Sequence, residues 1–210
     1  MIEGIELGDF DLESFMDEAK DADSSIKDIR NDSMRQIVFV IDASNSMQGH
    51  KIGAVNDCVN NIISKLKTLD RSQENSVNVS VMGFSTRLFR WTNGFVRASE
   101  FKYSYVEMVD GLTDVNAVFQ ELTDLTNNDM KKEAKKYTVL FSDGLLTEDY
   151  SASLAKWKSA QQYSDIMKIA VAFDEDLQDP QSKDFYQEFV DNGIILPMTK
   201  QEKLLSILLS

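Results

Sequence analysis

The sequence of 210 residues, 42% apolar and 27% charged, has the length and composition of one folded domain with a buried core. Its net charge of −13 argues against nucleic acids and anionic membranes as partners, since both are themselves negatively charged. No stretch approaches the roughly 18 consecutive apolar residues of a membrane span. The N-terminus lacks the basic and apolar regions of a secretory signal, so we expect a cytoplasmic protein.

The first 34 residues differ from the rest of the chain in charge. Acidic side chains far outnumber basic ones over residues 1–32, and apolar residues are interleaved with them around Phe10–Met16. This composition is typical of a segment that is mobile alone and docks on a partner or on its own domain. A solvated, partly helical extension is the alternative. We therefore predict an acidic flexible arm over residues 1–34 and a folded domain over 35–210.

Apolar runs of strand length alternate with segments of helical period along the rest of the chain. In chain order they predict a strand over Ile37–Ile41, a helix over 50–70, a strand over Val77–Phe84, a hairpin return over Leu88–Trp91, a helix over Asp114–Leu125, a strand over Tyr137–Phe141, a helix over Ser151–Tyr163, a strand over Ile166–Phe173, a helix over Ser182–Val190, a short strand over Gly193–Leu196 and a helix over Lys200–Leu209. Residues 93–111 are harder to interpret, although the alternation of Phe101, Tyr103 and Tyr105 fits an edge segment.

This alternation predicts an α/β fold. Strands that are apolar throughout indicate a doubly wound, mostly parallel sheet with helices on both faces. The hairpin would add one antiparallel edge strand. Binding sites in such folds lie at the carboxyl ends of the strands, where the sequence places Asp42 and Asp143.

Three oxygen-bearing side chains follow the first predicted strand. In the stretch FVIDASNSM, Asp42, Ser44 and Ser46 occupy alternate positions, so in an extended loop their side chains point to one side. One carboxylate and two hydroxyls are hard ligands of the kind that Mg²⁺ takes. Asx turns or helix caps at a strand-to-helix junction are the alternative.

Two further positions complete a pattern. Thr113 follows Gly111-Leu112 immediately before a helix, and Asp143 stands in a Ser-Asp-Gly run after a buried strand. In order and spacing the five residues Asp42, Ser44, Ser46, Thr113 and Asp143 resemble the metal-ion-dependent adhesion site of von Willebrand factor A domains. The resemblance extends from about Arg35 to Ser210.

The resemblance implies a role for each residue. Ser44 and Ser46 would bind the ion directly, Thr113 directly or through water, and the two aspartates through water or from outside the inner ligand set. The ion would be Mg²⁺, with Mn²⁺ or Ca²⁺ as alternatives. Its open sixth position would accept an Asp or Glu carboxylate from a protein partner.

Within that superfamily the sequence is similar to the intracellular TerY-like proteins of bacterial tellurium-resistance and stress gene neighbourhoods. It departs from many members at Asn45, where they have Gly. Asn tolerates a left-handed backbone better than other non-glycine residues, so we expect the loop geometry to be retained.

Catalysis is the less favoured interpretation. Metal-dependent hydrolysis needs an activated water with a base, or a second ion, and two carboxylates are few for two ions. His50 is expected at the surface, and Cys58, within a helical pattern, is expected to be buried and inert. A haloacid-dehalogenase-type phosphatase would have Asp where this chain has Ser44. We predict a binding module, with a metal-dependent phosphohydrolase or a scaffold with a vestigial metal site as alternatives.

The partner surface is expected on the loops around the ion. Leu145 and Leu146 are either exposed contacts or core residues of such a loop. The predicted surface comprises Met47 to His50, Ser85-Thr86, Leu112 to Asp114 and Leu145 to Asp149.

Overall fold

The computed structural model describes residues 34–72, 75–107 and 110–210. The predicted arm therefore lies outside the described residues, except for Met34 at its boundary. The described residues contain the predicted alternation of strands and helices.

The described residues form one sheet of seven strands: β1 (Met34–Asp42), β2 (Ser76–Phe84), β3 (Leu88–Arg90), β4 (Val96–Arg97), β5 (Lys135–Phe141), β6 (Ile166–Ala172) and β7 (Ile194–Pro197). The sheet is mostly parallel, in the order β3-β2-β1-β5-β6-β7, with β4 paired to β2. Strands β1, β2, β5, β6 and β7 run parallel, and β3 and β4 pair antiparallel with β2 along one edge. This arrangement confirms the predicted fold class.

Helices cover both faces of this sheet: α1 (His50–Asp70), α2 (Asn116–Asn128), α3 (Ser151–Lys158), α4 (Pro180–Val190) and α5 (Gln201–Leu209). Buried residues of α1 and α5 share one apolar cluster, and those of α2, α3 and α4 share the other. The central strand β1 contributes to both clusters: Ile37, Phe39 and Ile41 face one side, and Val38 and Val40 the other.

Most predicted elements agree with the observed ones to within about three residues, and two differ by more. The helix expected over Ser151–Tyr163 ends at Lys158, and a separate 3₁₀ turn follows over Tyr163–Asp165. Residues 101–107 form no strand. Their alternation has another cause: Phe101 and Tyr103 are buried in the cluster shared with α1, while Tyr105 is exposed.

The sheet brings the two predicted aspartates together at one edge. β1 and β5 are hydrogen-bonded neighbours, with Ile41 opposite Phe141. Asp42 is the next residue of β1, and Asp143 lies two residues beyond Phe141, so both side chains leave the same carboxyl edge. Within the described residues, no helix is both long and apolar enough to cross a membrane.

Candidate metal site

Asp42 ends β1 and is fully buried. Its Oδ1 accepts a hydrogen bond from the backbone N–H of Ser44 at 2.9 Å, and its Oδ2 accepts one from the Ser142 hydroxyl at 2.6 Å. Both donors fix the orientation of the carboxylate. Each oxygen retains a lone pair for a water molecule or an ion.

Burial raises the pKa of Asp42 from 3.8 to about 6. The hydrogen bonds from Ser142 and Ser44 act in the opposite direction, and the nearby Asp143 carboxylate raises the pKa further. Burial and a neighbouring negative charge both disfavour ionisation of Asp42, and a cation bound nearby would relieve that cost. The electrostatics of this edge therefore favour a bound cation.

Ser44 and Ser46 bring their hydroxyl oxygens within 3.1 Å of each other. Two ligands on adjacent corners of an octahedral Mg²⁺ site, each about 2.1 Å from the ion, are separated by about 3 Å. Ser44 is buried, whereas Ser46 is exposed at the rim. The two hydroxyl oxygens thus have the spacing of neighbouring metal ligands, and the Ser46 end of the pair faces the surface.

The loop that carries Thr113 is fixed to the loops on either side. The backbone N–H of Asn45 donates to the Gly111 carbonyl at 3.2 Å, linking it to the serine loop. On the other side the Thr113 N–H donates to Thr147 Oγ1 at 3.2 Å. Gly111 has φ +88°, a conformation that favours glycine, and a Cβ there would lie 2.3 Å from Thr86 Oγ1. Thr113 is thereby held, buried, between the serine and aspartate loops.

Asp143 is fully buried and is held by its neighbours. Its Oδ1 accepts from the Leu145 N–H at 3.2 Å, and its backbone carbonyl accepts from the Ser182 hydroxyl of α4 at 2.8 Å. Gly144, which follows it, has φ +76°, and a Cβ there would lie 2.9 Å from Ser182. The turn after β5 thus depends on glycine and on close contact with α4.

The five side chains fit a hard divalent cation by their chemistry, since all are oxygen donors and two are carboxylates. Among the residues described, no three or more His, Cys, Asp or Glu side chains form a metal site. An ion at this edge would therefore depend on the hydroxyls. Metal binding by these five residues remains a prediction.

Sequence reasoning missed three residues at this edge: Ser142, Lys51 and Asp176. The Lys51 ammonium lies 2.8 Å and 3.0 Å from the two carboxylate oxygens of Asp176 and 3.4 Å from Asp143 Oδ2. Asp176 lies in the 3₁₀ turn Asp176–Gln178 after β6. The rule that sites lie at strand carboxyl ends, applied to every strand, would have pointed to it.

Other predicted features have definite positions. His50 is exposed, 3.3 Å from Glu175 Oε1, and Cys58 is free and buried, with its thiol pKa raised by burial to about 12. Leu145 is 37% exposed whereas Leu146 is core. Met47, expected on the partner surface, is instead fully buried against the core shared with α1, so that prediction was wrong.

A doubly wound, mostly parallel sheet with an oxygen-rich cluster at the carboxyl ends of its central strands defines a class of α/β binding domains. Residues 36–193 match the von Willebrand factor type A domain family, and the chain belongs to that family. The family predicted from the five-residue pattern is thereby confirmed. Domains of this family are generally interaction or adhesion modules rather than enzymes.

Solved structures share this fold at low sequence identity. The pilus adhesin SpaC from Lactobacillus rhamnosus GG matches with a TM-score of 0.62 and 15% identity, over 84% of this chain and 30% of the adhesin chain. The ArnB paralog VWA2 from Sulfolobus acidocaldarius matches with a TM-score of 0.54 and 15% identity, over 83% of this chain and 44% of the other. Proximal thread matrix protein 1 from the mussel byssus gives a TM-score of 0.57 and 15% identity, over 85% and 48% of the two chains.

These structures are longer than the present chain, which spans less than half of each of the three. At such identities the likeness concerns the fold alone. Comparison with curated proteins finds no significant match.

Proposed function

We propose that this protein is a metal-dependent protein-interaction module. A Mg²⁺ ion, held by Ser44, Ser46 and Thr113 with Asp42 and Asp143 behind them, would present an open coordination position to a partner's Asp or Glu side chain. Mn²⁺ or Ca²⁺ could take the same place. The observation that carries the proposal is the pairing of two fully buried carboxylates with two hydroxyl oxygens 3.1 Å apart at one sheet edge.

The charge balance supports capture of an acidic group. Neutral hydroxyl ligands leave the charge of a divalent ion largely unquenched, so the ion remains attractive to an additional carboxylate. Burial of both aspartates weakens screening by solvent and strengthens their attraction for the ion. Ser46 is an exposed residue and marks the side from which a partner would approach.

The surroundings of the site support a protein as the partner. Leu112 is 54% exposed and Leu145 is 37% exposed, and each lies within two residues of a predicted metal-site residue. A partner that places an acidic side chain on the ion would bury both leucines. Burial of apolar side chains next to polar contacts is typical of protein interfaces.

We place the module inside a bacterial cell, in a stress-response or tellurium-resistance-type complex. The support is the similarity of the DxSxSM stretch and compact body to TerY-like proteins, together with one free, buried cysteine among the described residues. Co-purification of the full chain from its native cell, with and without chelator, tests this setting. Recovery of the same partners in both conditions would contradict a metal-dependent complex.

Metal titration tests the site itself. Isothermal titration with Mg²⁺ and Mn²⁺ should give saturable binding to the wild type and none to Asp42→Ala. Asp124→Ala, which removes an exposed carboxylate from α2, is the matched control and should bind as the wild type does. Equal titrations of wild type and Asp42→Ala would favour a vestigial site. Turnover of a phosphomonoester that Asp42→Ala abolishes would favour a hydrolase instead.

A further inference from the structure

The protein places a positively charged side chain of its own, Lys51, beside the candidate metal site. Lys51, the second residue of α1, lies with its ammonium between Asp143 and Asp176, and its side chain is only 12% exposed. The ring of Phe173 lies 5.4 Å from the same ammonium. A lysine in the first turn of a helix is unfavourable with respect to the helix dipole, so the position of Lys51 calls for a reason beyond helix stability.

The ammonium is shared unequally between its two carboxylates. Asp176 receives it at 2.8 Å and 3.0 Å through both oxygens, and Asp143 at 3.4 Å through Oδ2 alone. Asp176 thus holds the lysine on its own side of the site. Without Asp176, the nearest remaining carboxylate for the ammonium would be Asp143, which belongs to the predicted metal set.

The formal charges at this edge balance a single divalent ion. Asp42, Asp143 and Asp176 bring three negative charges and Lys51 one positive charge, a sum of −2 when all are ionised. One divalent cation neutralises that sum. Without Lys51 the cluster would attract a metal ion more strongly, but the loaded site would be anionic and would repel an acidic partner.

We propose that Lys51 and Asp176 form an internal charge pair that sets the metal affinity of the site, Lys51 competing with the ion for Asp143 and Asp176 restraining that competition. The proposal rests on the proposed function, because it concerns the same site. Neither residue is a ligand in this scheme. Both act on the ion through Asp143 and through the charge of the cluster.

Opposite changes in affinity are the signature of this arrangement. Lys51→Met should lower the dissociation constant for Mg²⁺ roughly tenfold, and Asp176→Asn should raise it roughly tenfold. The double variant restores the wild-type charge of the cluster, so its dissociation constant should return to within about threefold of the wild type. If Asp176 were itself a ligand, the double variant would still bind far more weakly than the wild type.

The measurement is isothermal titration of the full chain with Mg²⁺ and with Mn²⁺, paired with the metal-induced shift in unfolding midpoint. Lys65→Met is the matched control, since it removes the same charge from an exposed position of α1 and should leave the affinity unchanged. Circular dichroism of each variant without metal checks folding. If Lys51→Met does not fold, Lys51→Gln and Asp176→Asn still test both directions.

The outcomes separate this inference from the proposed function. Metal binding by the wild type with an unchanged or weaker affinity in Lys51→Met overturns the charge pair and leaves the metal site standing. Binding that appears in Lys51→Met but not in the wild type supports the charge pair and contradicts the proposed function. Absence of binding in both proteins overturns both.

Discussion

The Ser142 hydroxyl donates to Asp42 Oδ2 at 2.6 Å, and so ties the end of β5 to the end of β1 across 100 residues of sequence. The same hydroxyl accepts a 3.0 Å hydrogen bond from the Gly144 N–H. Ser142 therefore orients Asp42 and the turn behind Asp143 at once. Its two hydrogen bonds thereby link the position of Asp42 to that of the turn that carries Asp143.

Loss of this hydroxyl should weaken the folded protein. Ser142→Ala leaves the buried Asp42 carboxylate with one donor fewer and the Gly144 N–H without its acceptor. We expect the free energy of unfolding to fall by about 2 kcal/mol at pH 7.5 in EDTA, the usual cost of a lost hydrogen bond to a buried charged group. Urea denaturation followed by tryptophan fluorescence measures it. Ser64→Ala, on the exposed side of α1, should change stability by less than about 0.5 kcal/mol.

The raised pKa of Asp42 predicts a pH dependence in the metal-free protein. Between pH 3.8 and about 6 the folded protein holds a proton that the unfolded chain has released. Stability contributed by this carboxyl is therefore present at low pH and lost as the pH rises through about 6, by about 3 kcal/mol in all. Measured in EDTA across this range, the free energy of unfolding of the wild type relative to that of Asp42→Asn should fall by this amount as the pH rises. Parallel curves for the two proteins would refute it.

A bound metal ion should restore, at neutral pH, the stability that ionisation of Asp42 removes. An ion bound to the folded state alone, at 100 times its dissociation constant, adds about 2.7 kcal/mol to the free energy of unfolding. We expect Mg²⁺ to raise the midpoint of thermal unfolding at pH 7.5 and to do so less at pH 5, where Asp42 is protonated in the metal-free protein. A scanning fluorimetry series with Mg²⁺ and EDTA checks both conditions. A midpoint indifferent to Mg²⁺ at pH 7.5 would contradict the metal site.

Asn56 anchors the irregular segment 101–107 to α1. Its Oδ1 accepts from Tyr103 Oη at 2.8 Å and from the Val106 N–H at 2.9 Å, and its Nδ2 donates to the Val106 carbonyl at 3.1 Å. Asn56→Ala leaves three buried polar groups unpaired, and we expect a loss of about 2–3 kcal/mol in urea denaturation. Asn61→Ala, at an exposed position of the same helix, is the control. Equal stability of the two variants would show that the anchor is dispensable.

Gly144 should tolerate no side chain. Its φ of +76° strains any L-residue, and a Cβ would lie 2.9 Å from Ser182. Gly144→Ala should therefore lose about 2 kcal/mol or more of stability and shift Asp143 enough to weaken metal binding. Gly53→Ala is the matched control: this helical glycine has open space around it and should gain about 0.5–1 kcal/mol. Denaturation and metal titration of both variants make the comparison.

The fold could be predicted from the sequence because most of its strands and helices have clear apolar periods. Buried runs such as Ile37–Ile41 predicted parallel strands, and the long amphipathic segment 50–70 agreed with α1 residue for residue. Residues 101–107 were harder to interpret, because their alternation arises from contact with a helix and a buried amide. That cause depends on Asn56, which is distant in sequence.

Some residues of the candidate site could likewise be predicted from the sequence, and others could not. Asp42 and Asp143 could be placed from sequence because they lie at or just beyond the carboxyl ends of two strands that pair in parallel. Lys51 and Asp176 could not be paired, since 125 residues separate them and nothing local in either segment indicates an ion pair. The inward position of Met47 was also missed, because the 3₁₀ turn Asn45–Met47 directs that side chain into the core.

Leu112 and Leu145 project from loops whose backbones are hydrogen-bonded to their neighbours: Leu112 N–H to Thr86 Oγ1 at 2.9 Å, and Leu145 N–H to Asp143 Oδ1 at 3.2 Å. In both cases the loop is held by a hydrogen bond of its backbone, in which the exposed leucine side chain takes no part. Substitution of either leucine would therefore change the apolar surface beside the oxygen cluster while these backbone hydrogen bonds stay in place.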